Sequence, residues 1–260
     1  MLGRRTRRRE RLRQRPLPDS WIANIERNVP YYRTLNASDR RELHGHIQVF
    51  LAEKRFEGCG GLELTDEIRV TIAAQACILL LHRDTDYYPS LRTILVYPDP
   101  YIARVARRLP GGIAIEGREV RLGESWVAGA IVLSWDDVLR GAADVHDGHN
   151  VVLHEFAHVL DQENGVADGV PILEPPSSYR VWGYVMGRHF ARHRRRVEHA
   201  AKTRLDPYGA TNRAEYFAVV TEAFFERPNR LLQEAPEVYD ELRKFYNQDP
   251  AALISGGDAA

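Results

Sequence analysis

Residues 150–161 read Asn150-Val151-Val152-Leu153-His154-Glu155-Phe156-Ala157-His158-Val159-Leu160-Asp161 and contain the pattern HExxH. At about 3.6 residues per helical turn, His154 and His158 lie one above the other on one face, with Glu155 beside them. Two neutral imidazoles in this arrangement can bind one zinc ion. Catalytic zinc sites usually have three protein ligands and leave the fourth position to water. The pattern therefore predicts a helix that supplies two of the three ligands.

Glu155 stands where a general base toward a water molecule is needed. Bulk water has a pKa of about 15.7 and a free glutamate one of about 4.3, so direct proton transfer is strongly unfavourable. Zinc lowers the pKa of bound water to about 7, which makes the transfer to a carboxylate feasible. The predicted chemistry is hydrolysis by a metal-activated water with Glu155 as the base.

The remainder of this stretch is apolar, which strengthens the metal interpretation. A helix that is apolar on every side is buried, and buried polar groups are costly unless they are paired or bound to a metal. A helix that carries this pattern by chance is the alternative, which HExxH alone does not exclude. The apolar residues are Val151, Val152, Leu153, Phe156, Ala157, Val159 and Leu160.

The third ligand must come from another segment. Glu215 and Glu222 lie seven residues apart, and so on nearly the same face, of a helix predicted over 213–227. Either could reach the metal. Glu215 could instead close a capping box with Asn212, and Glu222 could be a solvent-facing charge. Glu222 and Asp161 are also candidates to orient an imidazole from behind the metal site.

A second histidine pair, His189 and His193, has the same four-residue spacing. It lacks a carboxylate between the histidines, and the surrounding arginines would repel a cation. We interpret it as part of a solvated basic face. The neighbouring arginines are Arg192, Arg194, Arg195 and Arg196.

The composition limits the classes of partner. The chain has 260 residues, a formal net charge of zero and a pI near 7.2, which gives the whole molecule no electrostatic reason to bind nucleic acid or an anionic membrane. Residues 1–15 nevertheless contain eight arginines. We expect residues 1–18 to form a disordered arm, the alternative being a binding segment for phosphates or an acidic partner.

Two features of the sequence favour a cytoplasmic protein. Cys59 and Cys77 form no disulfide framework and have no metal-ligand spacing. The longest apolar run, residues 70–81, is shorter than the roughly 18–20 residues of a membrane span. We therefore expect a cytoplasmic localisation and no membrane partner.

The element pattern predicts a mostly helical α+β fold with a small mixed sheet beside the HExxH helix. Strands are expected over 93–97 and 129–135, and a hairpin over 113–116 and 120–122. We expect strand 130–135 to be the edge on which an extended peptide substrate pairs. No internal repeat or second core is evident, so residues 19–250 are expected to form one domain and residues 251–260 a tail.

Several blocks of the sequence, over about residues 21–250, resemble the Mlc titration factor A (MtfA) family of zinc peptidases. The HExxH helix, from here on called the metal helix, and the segment 208–215 have a remoter resemblance to the catalytic domain of anthrax lethal factor. The blocks are His154-Glu155-Phe156-Ala157-His158 with Asp161, Asp206-Pro207-Tyr208, Ala214-Glu215-Tyr216-Phe217-Ala218, Glu222-Ala223-Phe224-Phe225, and upstream Gly60-Gly61-Leu62-Glu63-Leu64-Thr65-Asp66, Ile72-Ala73-Ala74-Gln75-Ala76-Cys77 and Ile94-Leu95-Val96-Tyr97-Pro98.

The resemblance implies a zincin-like fold of the gluzincin type and one Zn²⁺ per chain, held by His154, His158 and Glu215. Glu155 would be the general base. Tyr208, seven residues before Glu215 as in both families, would donate a hydrogen bond to the oxyanion.

The function implied by the resemblance is that of an aminopeptidase-like zinc peptidase, acting on a peptide or protein substrate. The alternative is a protein that sequesters a transcriptional repressor, with little or no peptidase activity. A binding protein has no use for Glu155 or Tyr208, and structural zinc sites favour four cysteine or histidine ligands, so the sequence favours the enzyme.

Overall fold

The computed structural model describes residues 3–99, 101–108, 114–121, 123–125, 129–144 and 147–257, and the side chains of 3–99, 129–144 and 147–253. The mostly helical α+β fold expected from the sequence is confirmed. The α-helices are α1 (Arg4–Arg13), α2 (Asp19–Asn28), α3 (Ala37–Glu53), α4 (Asp66–Ile78), α5 (Trp135–Ala143), α6 (Val151–Asp161), α7 (Ser178–Glu198), α8 (Arg213–Glu226), α9 (Pro228–Glu234), α10 (Pro236–Tyr246) and α11 (Pro250–Gly257). Short 3-10 helices cover Pro30–Thr34, Gln162–Asn164 and Pro207–Ala210.

One small mixed sheet lies beside the metal helix. Its strands are β1 (Arg55–Gly58), β2 (Thr93–Tyr97), β5 (Gly123–Ser125) and β6 (Ala130–Ser134), in the order β1-β2-β6-β5. The first three strands in that order are parallel, and β5 runs antiparallel to β6. Strand β2 alternates partly and fully buried residues because only one of its faces packs against the core.

The prediction that strand 130–135 forms an edge of the sheet is wrong. Strand β6 lies between β2 and β5, so both of its backbone edges are already paired. The sheet ends on β5, which packs against α6. Trp135 starts α5, whose N-cap Ser134 accepts a hydrogen bond from the backbone N–H of Asp137. The apolar run 130–135 identified the strand, but its neighbour β5 has only three residues and gives no pattern.

The expected hairpin has a different register. Strands β3 (Tyr101–Arg108) and β4 (Ala114–Arg121) pair antiparallel along their whole length. The sequence placed a turn at Gly117, which instead lies inside β4 opposite Val105. The outer residues of the expected strands, Ile113 and Leu122, lie outside the described residues.

The metal helix α6 is buried on nearly all sides, as its sequence predicts. Nine of its residues are buried, from Val152 and Leu153 through Glu155 to Asp161. Phe156 packs against the rings of Phe50 and Tyr88, with centroids 5.7 and 4.8 Å away. Helix α6 contacts α4, α5, α8 and the strands β5 and β6. The helix is therefore held from several directions before any metal binds.

Residues Arg4–Arg13 form the helix α1, whereas the sequence predicts a disordered arm. Arg9 forms a two-pronged ion pair with Glu53 and a second ion pair with Asp86, and its guanidinium lies 4.7 Å from the ring centroid of Tyr87. Leu12 is buried against the core. The arginines are thus partly neutralised by this chain's own carboxylates, a pairing that local sequence does not reveal.

The C-terminal tail expected over 251–260 begins as helix. Helix α11 extends to Gly257, and Ala251 is buried in the same hydrophobic cluster as Leu12. Among the described residues, no helix is long and apolar enough to span a membrane.

Candidate metal centre

Helix α6 presents the two histidines at one point. The Nε2 atoms of His154 and His158 lie 3.2 Å apart, with the ring planes at 77°. The helix begins at Asn150, whose side-chain oxygen accepts hydrogen bonds from the backbone N–H groups of Val152 and Leu153. This N-cap fixes the first turn, so the histidine one turn later projects from a rigid backbone.

Helix α8 brings Glu215 to the same point. Its Oε2 lies 3.1 Å from His154 Nε2 and 3.2 Å from His158 Nε2. The N-cap Asn212 accepts a hydrogen bond from the backbone N–H of Glu215, which is half of a capping box. The Glu215 carboxylate does not complete the box but points to the histidines. Of the two alternatives left open by the sequence, the side chain therefore takes the one at the histidines, while its backbone N–H is capped by Asn212.

The three ligand atoms match the geometry of zinc. In a tetrahedral site with zinc–ligand distances of about 2.0–2.1 Å, neighbouring ligand atoms lie about 3.3 Å apart. The three separations here are 3.1, 3.2 and 3.2 Å. Among the described side chains, His154, His158 and Glu215 are the group that could hold a metal ion. Two imidazoles and one carboxylate are also the donor set of open, catalytic zinc sites.

Glu222 lies behind His154, on the side away from the ligand triangle. Its Oε2 is 2.9 Å from His154 Nδ1, and its Oε1 accepts a hydrogen bond from the backbone N–H of Asn150 at 2.7 Å. Nδ1 of His154 therefore points to Glu222, and Nε2, on the other edge of the ring, points to Glu215 and His158. Glu222 thus fixes the orientation of the His154 ring.

The electrostatics of the site favour a cation. Burial opposes ionisation of Glu215, but hydrogen bonds from the two histidines outweigh it and lower the pKa of the carboxyl to about 2. Burial also opposes a charge on His154, yet Glu222 and Glu215 hold its pKa well above the ordinary value. Two carboxylates therefore stabilise positive charge at this point, whether a proton or a metal supplies it.

Glu155 is buried next to the triangle. It is 4% exposed, and its Oε2 has no hydrogen-bond partner among the described residues. Burial raises the pKa of the Glu155 carboxyl, although the neighbouring His154 and His158 oppose the shift. A buried carboxylate oxygen without a partner is costly, so this atom is suited to accept a proton from a water or substrate in the site.

Tyr208 stands at the solvent side of the site. It lies on the 3-10 helix Pro207–Ala210, which begins where the Asp206 carboxylate accepts a hydrogen bond from the Tyr208 backbone N–H. Its ring centroid is 6.1 Å from that of His154, and the residue is 55% exposed. The phenol is therefore near the ligands and accessible to a substrate.

His193 does not belong to a solvated face, which corrects the interpretation of the second histidine pair. It is buried, and its Nε2 lies 3.0 Å from the carbonyl oxygen of Asp206. His189 instead contacts Glu237 on α10, so the two rings do not converge on a metal. His193 supports the turn that carries Tyr208, a role that the basic sequence around it concealed.

Asp161 forms its described side-chain hydrogen bond with the backbone and not with a histidine, unlike Glu222. Its Oδ2 accepts a hydrogen bond from the backbone N–H of Gly169, and its Oδ1 has no partner among the described residues. Burial raises the pKa of Asp161 to about 6. The residue anchors the loop after the metal helix to the end of that helix, rather than orienting an imidazole.

Sequence reasoning missed Asn150 as part of the site. Its side chain caps α6 and its backbone N–H binds Glu222, so one residue joins the start of the metal helix to the carboxylate behind His154. An asparagine before an apolar helical run is a recognisable N-cap. Its second role depends on α8, which lies beside α6 only in the folded chain.

Comparison with known proteins gives consistent matches over most of the chain. The sequence profile of the glucose-regulated metallo-peptidase M90 family matches residues 4–247. An uncharacterized protein of Synechocystis sp. is 42% identical over 244 residues, which cover 94% of this chain and 89% of the relative. Mlc titration factor A of Yersinia pestis (strain Pestoides F) is 32% identical over 230 residues, 87% of this chain and 84% of the relative. Its counterpart in Yersinia pseudotuberculosis (strain YPIII) matches to the same extent.

Proposed function

The chain belongs to the glucose-regulated metallo-peptidase M90 family, and on that premise we propose that it is a zinc-dependent, aminopeptidase-like peptidase of the gluzincin type. The observation that carries the proposal is the triangle of His154, His158 and Glu215, with the buried Glu155 beside it. Zinc is the metal that two imidazoles and one carboxylate fit best.

His154, His158 and Glu215 would hold the zinc. Bound there, zinc would lower the pKa of a water molecule and polarise the scissile carbonyl. With zinc bound, Glu222 would accept the Nδ1 proton of His154, so that Nε2 would offer its lone pair to the metal. The Asn150 backbone N–H holds the other oxygen of Glu222, which makes this support rigid.

Glu155 is the proposed general base. Its unpartnered Oε2 would accept a proton from the attacking water and later deliver it to the leaving amine. Burial excludes bulk water and raises the pKa of the carboxyl, so the group is a stronger base than a free glutamate.

Tyr208 is the proposed oxyanion donor. A phenol donates a hydrogen bond without carrying charge, and the partial exposure of Tyr208 lets a substrate carbonyl approach it. Two contacts of Asp206 hold the turn in place. Its carbonyl oxygen lies 3.0 Å from His193 Nε2, and its side chain accepts a hydrogen bond from the Tyr208 backbone N–H. Tyr208 would therefore stabilise charge that develops only as the substrate reacts.

The backbone edge of β5 is the proposed docking line for an extended peptide. This strand ends the sheet and packs against α6, so a peptide paired with it would run past the metal helix. The preference for a free N-terminus rests on the family resemblance, and the substrate panel below tests it.

A repressor-binding protein is the second candidate function. The observation in its favour is the name Mlc titration factor A carried by relatives 32% identical to this chain. Such a role needs a surface and no chemistry, and it makes no use of the buried Glu155 carboxylate, whose Oε2 has no partner among the described residues. For that reason the peptidase is the first proposal.

The test compares the wild type with Glu155→Gln for zinc content and for peptide hydrolysis. The panel contains aminoacyl nitroanilides, internally quenched peptides and N-acetylated versions of both. We expect about one zinc per chain in both proteins and turnover only in the wild type, because the amide cannot accept the proton. Loss of turnover on N-acetylation would identify an aminopeptidase.

Glu198→Gln is the matched control, since Glu198 is exposed on α7 and its ion pair among the described residues is with Arg194. It should keep full turnover. Turnover retained by Glu155→Gln would refute the proposed mechanism. Zinc in both proteins with turnover in neither would favour the repressor-binding function.

A further inference from the structure

A cavity separate from the candidate metal centre lies near the C-terminal end of the metal helix. Its volume is about 380 Å³, within the usual range of small-molecule sites of about 300–1,000 Å³. None of the residues of the ligand triangle lines it, so it is a separate site. Its apolar walls are Ile172, Leu173, Val181, Trp182 and Phe245.

Arg83 brings a buried positive charge to this cavity. The central carbon of its guanidinium lies 4.1 Å from the ring centroid of Phe245. Its Nη1 is buried and has no hydrogen-bond partner, and no described carboxylate forms an ion pair with it within 4.0 Å. A guanidinium remains charged at any ordinary pH, and Arg83 lines the cavity, so its guanidinium can donate to an acceptor that enters there.

The other two basic residues of the cavity already have partners. Lys244 pairs with Glu241 at 2.8 Å and with Asp240 at 3.3 Å. The His82 Nε2 lies 2.9 Å from a carboxylate oxygen of Asp39. These charges cancel locally, which leaves Arg83 as the unpaired cation of the described lining.

Three carboxylates of the lining are also unpaired. Asp84, Glu163 and Glu174 line the same cavity, and none forms an ion pair within 4.0 Å with a described residue, although the charges of Glu163 and Arg83 attract each other. A simple anion would be drawn to Arg83 but repelled by these carboxylates, and a simple cation would leave Arg83 unsatisfied. A ligand that carries one charge of each sign meets both demands.

We propose that this cavity binds a small zwitterion with an apolar side chain, of the class of a free α-amino acid such as leucine. The ligand carboxylate would accept hydrogen bonds from Arg83, and the ammonium group would face the carboxylates of the lining. The side chain would pack against the apolar wall. This site does not depend on the proposed peptidase activity.

Isothermal titration of the full, zinc-loaded chain tests the proposal with L-leucine, N-acetyl-L-leucine and L-leucinamide. The two analogues each lack one of the charges. We expect leucine to bind and each analogue to bind at least about tenfold more weakly, because each analogue loses the charge that one end of the site would recognise. Equal affinity for leucine and either analogue, or no detectable binding of leucine, would overturn the proposal.

Two matched variants separate this cavity from the metal site. Val181 is 47% exposed and lines the cavity, whereas Val166 is 55% exposed and does not. Val181→Trp should fill the cavity from its mouth and remove leucine binding, while Val166→Trp should leave it unchanged. Arg83→Met should also remove it. Leucine binding by Val181→Trp equal to that of the wild type would place the ligand elsewhere and refute the assignment.

Discussion

His154 is the most constrained residue of the candidate site, because each of its ring nitrogens has one task. Nδ1 donates to Glu222, and Nε2 faces Glu215 and His158. If the carboxylate behind the ring were lost, the ring could rotate or take the other tautomer. We therefore expect the affinity for zinc to depend on Glu222, which would not touch the metal.

Glu222→Gln tests this dependence. The amide keeps the shape of the side chain but loses the charge that orients His154, so the zinc affinity should fall about 10- to 100-fold. Competition with a chelator of known affinity measures it. Glu226→Gln, one turn further along α8, is the control: burial, and then the charge of Glu222, raise the pKa of Glu226 to about 9, so it is already neutral at pH 7. Equal zinc affinities for wild type and Glu222→Gln would contradict this role.

Tyr208→Phe tests the oxyanion donor. Removal of the hydroxyl should lower kcat about 100-fold or more and change KM little, because the hydrogen bond forms mainly in the transition state. Zinc content should not change. Tyr184→Phe is the control, since Tyr184 is 66% exposed on α7 and is not part of the site. A proportionate rise in KM with kcat unchanged would mean that Tyr208 binds the ground state instead.

The sequence could predict that the two histidines and Glu155 share one buried helix, because their relation is local. It could not choose between the roles of Glu215, since an N-cap partner and a metal ligand can share one position. It gave Asp161 and Glu222 the same candidate role, yet only Glu222 faces an imidazole. That difference depends on where α8 crosses α6, which is a property of the folded chain.

At the level of elements, the long helices followed from apolar spacing and caps, and the short elements did not. Strands β1 and β5 have four and three residues, too few for an alternating pattern. Helix α5 follows β6 without a loop, so its first residue was assigned to the strand. These misses matter because β5, and not β6, is the edge beside the metal helix.

Helix α1 shows how distant charges can order a basic segment. The hydrogen bond from Arg9, with other ion-pair contacts, lowers the pKa of Glu53 below its ordinary value of 4.5. Both side chains are largely buried, with exposed fractions of 13% and 10%, so the pair is less screened than a surface ion pair. The pair therefore contributes to holding α1 against α3.

Arg9→Met should loosen α1 and lower the free energy of unfolding by about 1–2 kcal/mol at pH 7. Because the pKa of Glu53 is lower in the folded state, the stabilisation is present above pH 4.5 and is lost as the pH falls through the folded pKa. The difference between wild type and variant should therefore shrink on acidification. Thermal unfolding between pH 3 and 7 measures it.

Arg7→Met is the matched control, because Arg7 is exposed on the same helix. It should unfold as the wild type does at every pH. Hydrogen exchange of residues 3–15 should rise in Arg9→Met alone. Equal protection of this segment in both variants would mean that Leu12 and the rest of α1 hold the helix without the ion pair.

At the scale of the whole molecule, one hydrophobic cluster runs from Leu12 to Ala251. Both helices of the metal centre contribute to it, with Phe156 from α6 and Phe217 and Phe224 from α8. The ligand geometry is therefore set by the same packing that stabilises the fold. A preformed site of this kind should bind zinc without a large rearrangement of the protein.

The most direct test of the central claim is a zinc titration of peptide hydrolysis, starting from the chelator-treated, metal-free wild type. The account predicts no turnover without zinc and a linear recovery that stops at one zinc per chain, because His154, His158 and Glu215 form one site. Turnover that is unaffected by removal of the metal, or that is absent for every peptide at one zinc per chain, would contradict it.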